Sequence, residues 1–206
     1  TNFTDGICCS RLIDDNASAA LAVVGPLVTF VNIITNIIQI GAQILCSRRL
    51  AQGDIKTAKK IFSTSIVMCV ISGIILMIIA MFAGPYIVRF LGAPNDIILE
   101  HGFKYVVGFF IGAPFYIAFT VLLPIANLVN GKKLSTIAIG TVLAVNVLGD
   151  IFSGLWLGAN SDATFGIGIA TSLSYVAGVI VLVFAFIKKT TVLKCISFII
   201  YSFVFN

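Results

Sequence analysis

Charged residues are scarce in this sequence of 206 amino acids: they make up 10% of it, while apolar residues make up 59%. A soluble domain usually carries about 25% charged residues, and a domain of this size could not bury so much apolar surface. The composition therefore excludes a soluble globular domain, a disordered tail and a collagen-like fibre. It predicts an all-α integral membrane protein that has the lipid bilayer as a partner.

Histidine and paired cysteines are scarce as well. The sequence has one histidine, His101, and five cysteines whose spacing matches neither a disulfide framework nor a zinc site. We predict that His101 lies in an outer loop beside Glu100. An intramembrane enzyme needs a nucleophile with a base, or a set of metal ligands, and the sequence offers neither. We therefore predict no enzymatic activity, no metal and no bound cofactor.

Five apolar segments are long enough to cross the hydrocarbon core, which takes about 20 helical residues. They are residues 16–47, 61–88, 105–131, 134–161 and 163–187, and only the fourth contains a charge, that of Asp150. Residues 1–13 are too short to span and are interpreted as the end of an incomplete first helix. We predict a six-helix transmembrane bundle over residues 1–190. The apolar tail, residues 191–206, is a partial helix or a truncation.

Basic residues are unevenly divided between the two ends of these segments. Ten of the 13 follow the second, fourth and sixth helices, and three lie on the other side. The ten are Arg48, Arg49, Lys56, Lys59, Lys60, Lys132, Lys133, Lys188, Lys189 and Lys194. Because cytoplasmic loops are enriched in basic residues, we predict a multi-pass plasma-membrane protein whose loops after helices 2, 4 and 6 face the cytoplasm. Topology thus explains the positive charge, and no nucleic-acid partner is predicted.

Two acidic residues, Asp5 and Asp150, lie within the predicted membrane, where ionisable side chains are costly and usually functional. Counted from the outer helix ends at about 1.5 Å per residue, they lie roughly 9 and 12 Å deep. Asn146 is one turn before Asp150 on the same helix face, and Thr171 lies at a similar depth on the sixth helix. Their oxygens suit a proton or a small cation. Alternatively, Asp5 caps a helix end and pairs with Asp150 structurally.

The second helix carries a polar stripe at helical spacing. Its members are Asn32, Asn36, Gln39 and Gln43. The stripe suits the lining of a cavity about as well as it suits hydrogen bonding between helices. Three prolines inside apolar segments are predicted to kink their helices. They are Pro26, Pro114 and Pro124.

Six short motifs occur in the order found in one transporter family. They are Asp5-Gly-Ile-Cys-Cys-Ser-Arg11, Ala20-Leu-Ala-Val-Val-Gly25, residues 41–54, Leu91-Gly-Ala-Pro94, Asn146-Val-Leu-Gly-Asp150 and Gly166-Ile-Gly-Ile-Ala-Thr171. From about Thr4 to Lys189 the chain resembles the multidrug and toxic compound extrusion (MATE) family of secondary transporters. One departure is Gly168, where the family motif carries alanine.

The resemblance implies an antiporter that exports organic, often cationic, small molecules across the plasma membrane against a gradient of H⁺ or Na⁺. It also implies that Asp5, Asn146, Asp150 and Thr171 belong to the ion-coupling site of the N-terminal lobe. Family members carry two six-helix lobes, so a second lobe or a second chain is expected to complete the transporter.

Two alternatives to this function stay open. One is a lipid-linked saccharide flippase of the same superfamily, which would line its cavity with basic residues. Here the basic residues fall in loops or at helix ends, which disfavours that function. The other is a truncated membrane subunit that does not transport.

Overall fold

The computed structural model describes residues 2–130, 132–157 and 161–188, and these residues contain no β-strand. In chain order the elements are α1 (Asn2–Cys8), a π-helical segment (Cys9–Ile13), α2 (Asp15–Ala51), α3 (Ile55–Phe90), α4 (Asp96–Ile111), α5 (Ala113–Asn130), α6 (Lys132–Leu157) and α7 (Ser161–Lys188). The predicted all-α class is therefore confirmed. The predicted tail, residues 191–206, lies outside the described residues.

Short polar side chains begin α2, α3 and α4. Asp14, Asp54 and Asn95 each accept a hydrogen bond from the backbone N–H three residues later, at 2.7, 3.0 and 2.8 Å. Such caps satisfy N–H groups that have no partner in the first helical turn. Hydrogen bonds from the side chain and backbone of Thr57 also lower the pKa of Asp54. The turn before Asp54 contains Gly53 at φ +74°, a conformation that glycine adopts without strain.

Four helices, α2, α3, α6 and α7, are long and apolar enough to cross a membrane. The pair α4 and α5 supplies a fifth span if its two helices are counted as one. The segment from Asn2 to Ile13 is too short to span a membrane. The described residues thus contain up to five spans, and the predicted count of six is not established.

The predicted fourth helix, residues 105–131, is two helices. α4 ends at Ile111, α5 begins at Ala113, and the two helices meet at an angle of 55°. Pro114 is the second residue of α5, where its missing N–H removes no intrahelical hydrogen bond. The kink predicted at Pro114 is therefore a break at Gly112. Pro26 and Pro124 lie inside continuous helices, α2 and α5, and their kinks stay predictions.

The helices α2 and α3 extend beyond the apolar segments that predicted them. They have 37 and 36 residues. At about 1.5 Å per residue each is about 55 Å long, well beyond the roughly 30 Å hydrocarbon core. The predicted loop of residues 48–60 accordingly shrinks to residues 52–54, because the Asp54 cap starts α3 early. Its basic residues lie at the helix ends instead.

His101 lies in a helix, so its predicted place in an outer loop is wrong. α4 already begins at Asp96, and His101, in its second turn, is only 5% exposed. The polar surface at this end is formed by Glu100 and Lys104. Lys104 Nζ lies 3.2 Å from Glu100 Oε1 and 2.7 Å from Oδ1 of Asp162 on α7. The pair with Asp162 joins α4 to the end of α7 that is predicted to face outward.

The helix α7 organises the bundle because it packs against α4, α5 and α6. Where it meets α4, Gly168 faces Gly108, and a Cβ on Gly168 would lie 2.6 Å from the carbonyl oxygen of Tyr105. Small residues at such a position let two backbones approach closely. Away from this centre, α2 and α3 expose large apolar side chains such as Phe30 (60%) and Phe82 (79%). Lipid or a second lobe can cover these faces.

Candidate functional site

The structure brings the four predicted site residues together at one buried point. Asp5 comes from α1, Asn146 and Asp150 come from α6, and Thr171 comes from α7. Each of the four is fully buried, at 0% exposure. We call these four residues the carboxylate cluster. Their role in ion coupling stays a prediction.

Close packing between helices positions these side chains. Asn146 and Asp150 are one helical turn apart and therefore share a face of α6. Beside Asp150, a Cβ on Gly149 would lie 2.6 Å from the Cβ of Ala170, so α6 and α7 are in close contact at this level. The π-helical segment after Asp5 packs against α2, α6 and α7, which ties the short α1 to the bundle.

The amide of Asn146 is the centre of the cluster. Its Nδ2 lies 3.1 Å from Thr171 Oγ1, 3.2 Å from Asp5 Oδ1 and 3.5 Å from Asp150 Oδ1. Thr171 Oγ1 in turn donates to Asp5 Oδ2 at 3.0 Å. All four residues therefore belong to one hydrogen-bond network, although they are up to 166 positions apart in the sequence.

Two further residues join the network without having been predicted as site residues. The hydroxyl of Tyr105, on α4, donates to Asp5 Oδ2 at 2.8 Å. The hydroxyl of Thr4 donates to Asn146 Oδ1 at 2.8 Å. Tyr105 stands at the start of an apolar segment, but no sequence signal shows that its hydroxyl points towards Asp5. For Thr4, the only sequence feature that could have indicated a place in the network is its position next to Asp5.

The cluster combines two carboxyl groups with neutral donors. Besides each other, the hydrogen-bond partners that the structure describes for Asp5 and Asp150 are tyrosine, threonine and asparagine, and none is basic. Asp150 Oδ2 is buried and has no hydrogen-bond partner among the described residues. Buried charges need compensation, and oxygen atoms from carboxyl, amide and hydroxyl groups suit a proton or a small hard cation.

The polar stripe of α2 lies apart from this network. Asn32, Gln39 and Gln43 are half-buried, and Asn36 is exposed. None of the hydrogen bonds described for the carboxylate cluster involves them. The buried polar residue of this part of α2 is Thr35, whose hydroxyl donates to the carbonyl oxygen of Val31 at 2.8 Å. The cavity-lining role of the stripe stays a prediction.

Sequence comparison finds a matching family model and similar export proteins. A family model described as MatE matches residues 1–152. The multidrug export protein MepA of Staphylococcus aureus (strain bovine RF122 / ET3-1) is 25% identical over 183 residues, which are 89% of this chain and 40% of MepA. MepA of Staphylococcus saprophyticus is 25% identical over 182 residues, 87% of this chain and 39% of that protein. The chain thus spans about 40% of the length of these relatives.

Solved structures share the fold. A crystal structure of a MATE protein in the bent conformation matches with a TM-score of 0.82 and 22% identity, over 92% of this chain and 42% of that chain. An inward-facing multidrug resistance MATE transporter of the MOP superfamily matches with a TM-score of 0.83 and 20% identity, over 93% of this chain and 42% of that one. At these identities the likeness establishes the fold alone.

Proposed function

The chain belongs to the MatE family, and we propose that it forms one lobe of a multidrug exporter of the plasma membrane, driven by protons or sodium ions. Transporters of this family are not enzymes, and the homologues found here are named multidrug export proteins. Because the chain spans 40% of MepA, a second lobe, on the same or another polypeptide, completes the proposed exporter. Its substrates are organic, often cationic, small molecules.

The carboxylate cluster is the observation that carries this proposal. Two fully buried carboxyl groups destabilise a membrane protein unless their charge is compensated. Where such groups occur, they are usually functional. In this site the described partners are neutral, so compensation falls to a proton or a sodium ion. A structural ion pair with a basic residue does not account for the cluster, because none of the described partners is basic. Structural pairing of Asp5 with Asp150 is the remaining alternative.

Ion binding drives export if it changes the affinity for substrate. A proton or sodium ion at Asp5 and Asp150 alters which hydrogen bonds their oxygens accept from Asn146, Thr171 and Tyr105. These partners lie on α4, α6 and α7, so their helices shift relative to one another. Coupling requires that the ion-bound state binds substrate less tightly than the ion-free state.

Transport by the complete transporter, meaning this chain with its second lobe, tests the proposal. Proteoliposomes loaded with a fluorescent organic cation are given a proton gradient or a sodium gradient, one at a time. We expect one of the two gradients to drive movement of the dye, and an ionophore that collapses this gradient to stop it. Movement that ignores both gradients would contradict antiport. If no organic cation moves under either gradient, the proposed export function is contradicted.

The predicted sidedness has its own test. K56C, at the first turn of α3, should react with a membrane-impermeant thiol reagent only from the cytoplasmic side, because the basic residues around it are retained there. D96C, at the first turn of α4, should react only from outside. Both are introduced into a protein whose native cysteines are replaced. Labelling of K56C in intact cells would show that the orientation is inverted.

A lipid-linked saccharide flippase finds no support in the described residues. A flippase holds phosphate with arginine or lysine, whereas the described partners in the buried network are carboxyl, amide and hydroxyl groups.

A further inference from the structure

The break between α4 and α5 is stabilised by one hydroxyl group from α7. Ser172 Oγ accepts a hydrogen bond from the Gly112 N–H at 3.0 Å, and it donates towards the carbonyl oxygens of Gly108 and Phe109, at 2.7 and 2.9 Å. In an unbroken helix these carbonyls would bond to N–H groups one turn later. Within a membrane, backbone groups freed by a break need another partner. Ser172, itself buried, supplies a partner for the Gly108 carbonyl oxygen. It adds a second partner to the Phe109 carbonyl oxygen, which also accepts from the Gly112 N–H at 3.2 Å.

Two close contacts hold the break in position. Towards α7, a Cβ on Gly112 would lie 2.4 Å from the Cβ of Ser172. Towards α3, a Cβ on Gly73 would lie 2.3 Å from the Cα of Pro114. Neither contact leaves room for the backbone to move alone. A change of the bend must therefore move α3 or α7 with it.

The residue before Ser172 belongs to the carboxylate cluster. Thr171 donates to Asp5, while Ser172 contacts the break. Side chains of consecutive helical residues point about 100° apart, so one turn of α7 contacts the cluster with one face and the break with another. The helix α4 reaches the same two points, because Tyr105 donates to Asp5 and Gly112 donates to Ser172. The cluster and the break are thus joined through both helices.

We propose that Ser172 is a positioning residue that couples the charge of the carboxylate cluster to the bend between α4 and α5. This inference rests on the proposed ion-coupled transport. When an ion neutralises Asp5, the hydrogen bonds from Thr171 and Tyr105 lose a charged acceptor and weaken by about half. α7 and α4 then shift against each other, and Ser172 carries the shift to Gly112. The bent and straighter forms change in population.

Distances across the bend test this coupling. Spin labels are attached to I97C and N127C, at exposed positions on either side of the break, in the complete transporter. Its native cysteines, including the five of this chain, are replaced by alanine. D5N mimics the neutralised cluster. We expect D5N to change the distance distribution between the labels when Ser172 is present. In the S172A background, D5N should leave that distribution unchanged.

S174A is the matched control. Ser174 is a buried serine of the same helix, and the hydrogen bond described for its hydroxyl stays within α7, to the carbonyl oxygen of Thr171 at 2.7 Å. D5N should still change the distance in the S174A background. The inference is overturned if D5N changes the distance equally in the S172A and S174A backgrounds. It is also overturned if D5N has no effect on the distance in the two proteins that retain Ser172, the otherwise unchanged protein and S174A.

Hydrogen exchange supplies a measurement that does not need S172A to fold. D5N should speed the exchange of the peptide that contains Gly112, whereas D96N, at an exposed acidic residue, should not. Equal exchange in D5N and the unchanged protein would overturn the inference.

Transport separates this inference from the proposed function. S172A should slow gradient-driven export by at least about fivefold, the lower end of typical coupling, while S174A should not. Normal gradient-driven export by S172A would overturn the role of Ser172 and leave the proposed function standing. Export by the unchanged protein that ignores both gradients would overturn the proposed function itself.

Discussion

Asp150→Asn is expected to reduce gradient-driven export by roughly a hundredfold, near the upper end of typical coupling, while the protein still folds and inserts. Asparagine has nearly the size of aspartate, but it can neither take up a proton nor offer a negative charge to a cation. Asp150 is fully buried, its Oδ2 has no described hydrogen-bond partner, and its Oδ1 lies 3.5 Å from Asn146. Little structural hydrogen bonding is therefore lost in the variant.

The measurement is export of a fluorescent organic cation from proteoliposomes, at matched amounts of inserted protein. D96N is the control, since Asp96 is an exposed acidic residue that pairs with Arg89 at the surface. It should export at the normal rate. Normal export by D150N, at normal expression, would remove Asp150 from the mechanism.

A structural role for the two carboxyl groups predicts a different result from the same variants. If Asp5 and Asp150 only stabilise the fold, then D5N and D150N should lower the amount of folded protein before they lower transport. If the pair is functional, either single variant should reduce coupled export by roughly a hundredfold with little change in thermal stability. A double-mutant cycle with D5N/D150N should then show that the second substitution adds almost nothing.

Gly168→Ala is expected to destabilise the bundle by about 1–3 kcal/mol, the usual cost of overpacking. The new Cβ would lie 2.6 Å from the carbonyl oxygen of Tyr105, 2.8 Å from the backbone nitrogen of Phe109 and 3.0 Å from the Cα of Gly108. All three are backbone atoms, so no side-chain rotation can relieve the contact and α4 must move away from α7. Because Tyr105 donates to Asp5, the carboxylate cluster should be disturbed as well.

Thermal unfolding in detergent, followed by circular dichroism or by loss of the monodisperse peak, measures this effect. G140A is the matched control, because a Cβ on Gly140 meets nothing within 4 Å. Alanine also has the higher helix propensity, by up to about 1 kcal/mol, so G140A should be neutral or stabilising. An unchanged melting temperature for G168A would show that α4 and α7 are not held as closely as described. The family motif carries alanine at the position of Gly168. The melting temperature of G168A therefore also shows whether α4 and α7 pack more tightly in this chain than alanine allows.

The helical class, the apolar segments and the order of the family motifs followed from the sequence alone. Hydropathy depends on composition within about 20 residues, and it needs no knowledge of neighbouring helices. The depth of a residue follows in the same way, from a fixed rise per residue. Asp5, Asn146, Asp150 and Thr171 are predicted at similar depths in this way, and the structure places them in one network.

Local sequence signals failed where a boundary depended on a cap or on a partner helix. His101 stands among polar residues, and only the helix start at Asp96 places it inside α4. The apolar segment 105–131 contains no charge to mark an end, yet it breaks at Gly112. At that break the Gly112 N–H donates to Ser172, which is 60 residues further along the chain.

Tertiary structure alone decided which side of each helix faces the carboxylate cluster. The direction of a side chain around its helix axis depends on how that helix is rotated in the bundle, and packing of small residues such as Gly108 against Gly168 sets that rotation. The sequence places Tyr105 only at the start of an apolar segment, and the packed bundle is what directs its hydroxyl to Asp5. Depth is a property of one helix, whereas rotation is a property of the contacts between helices.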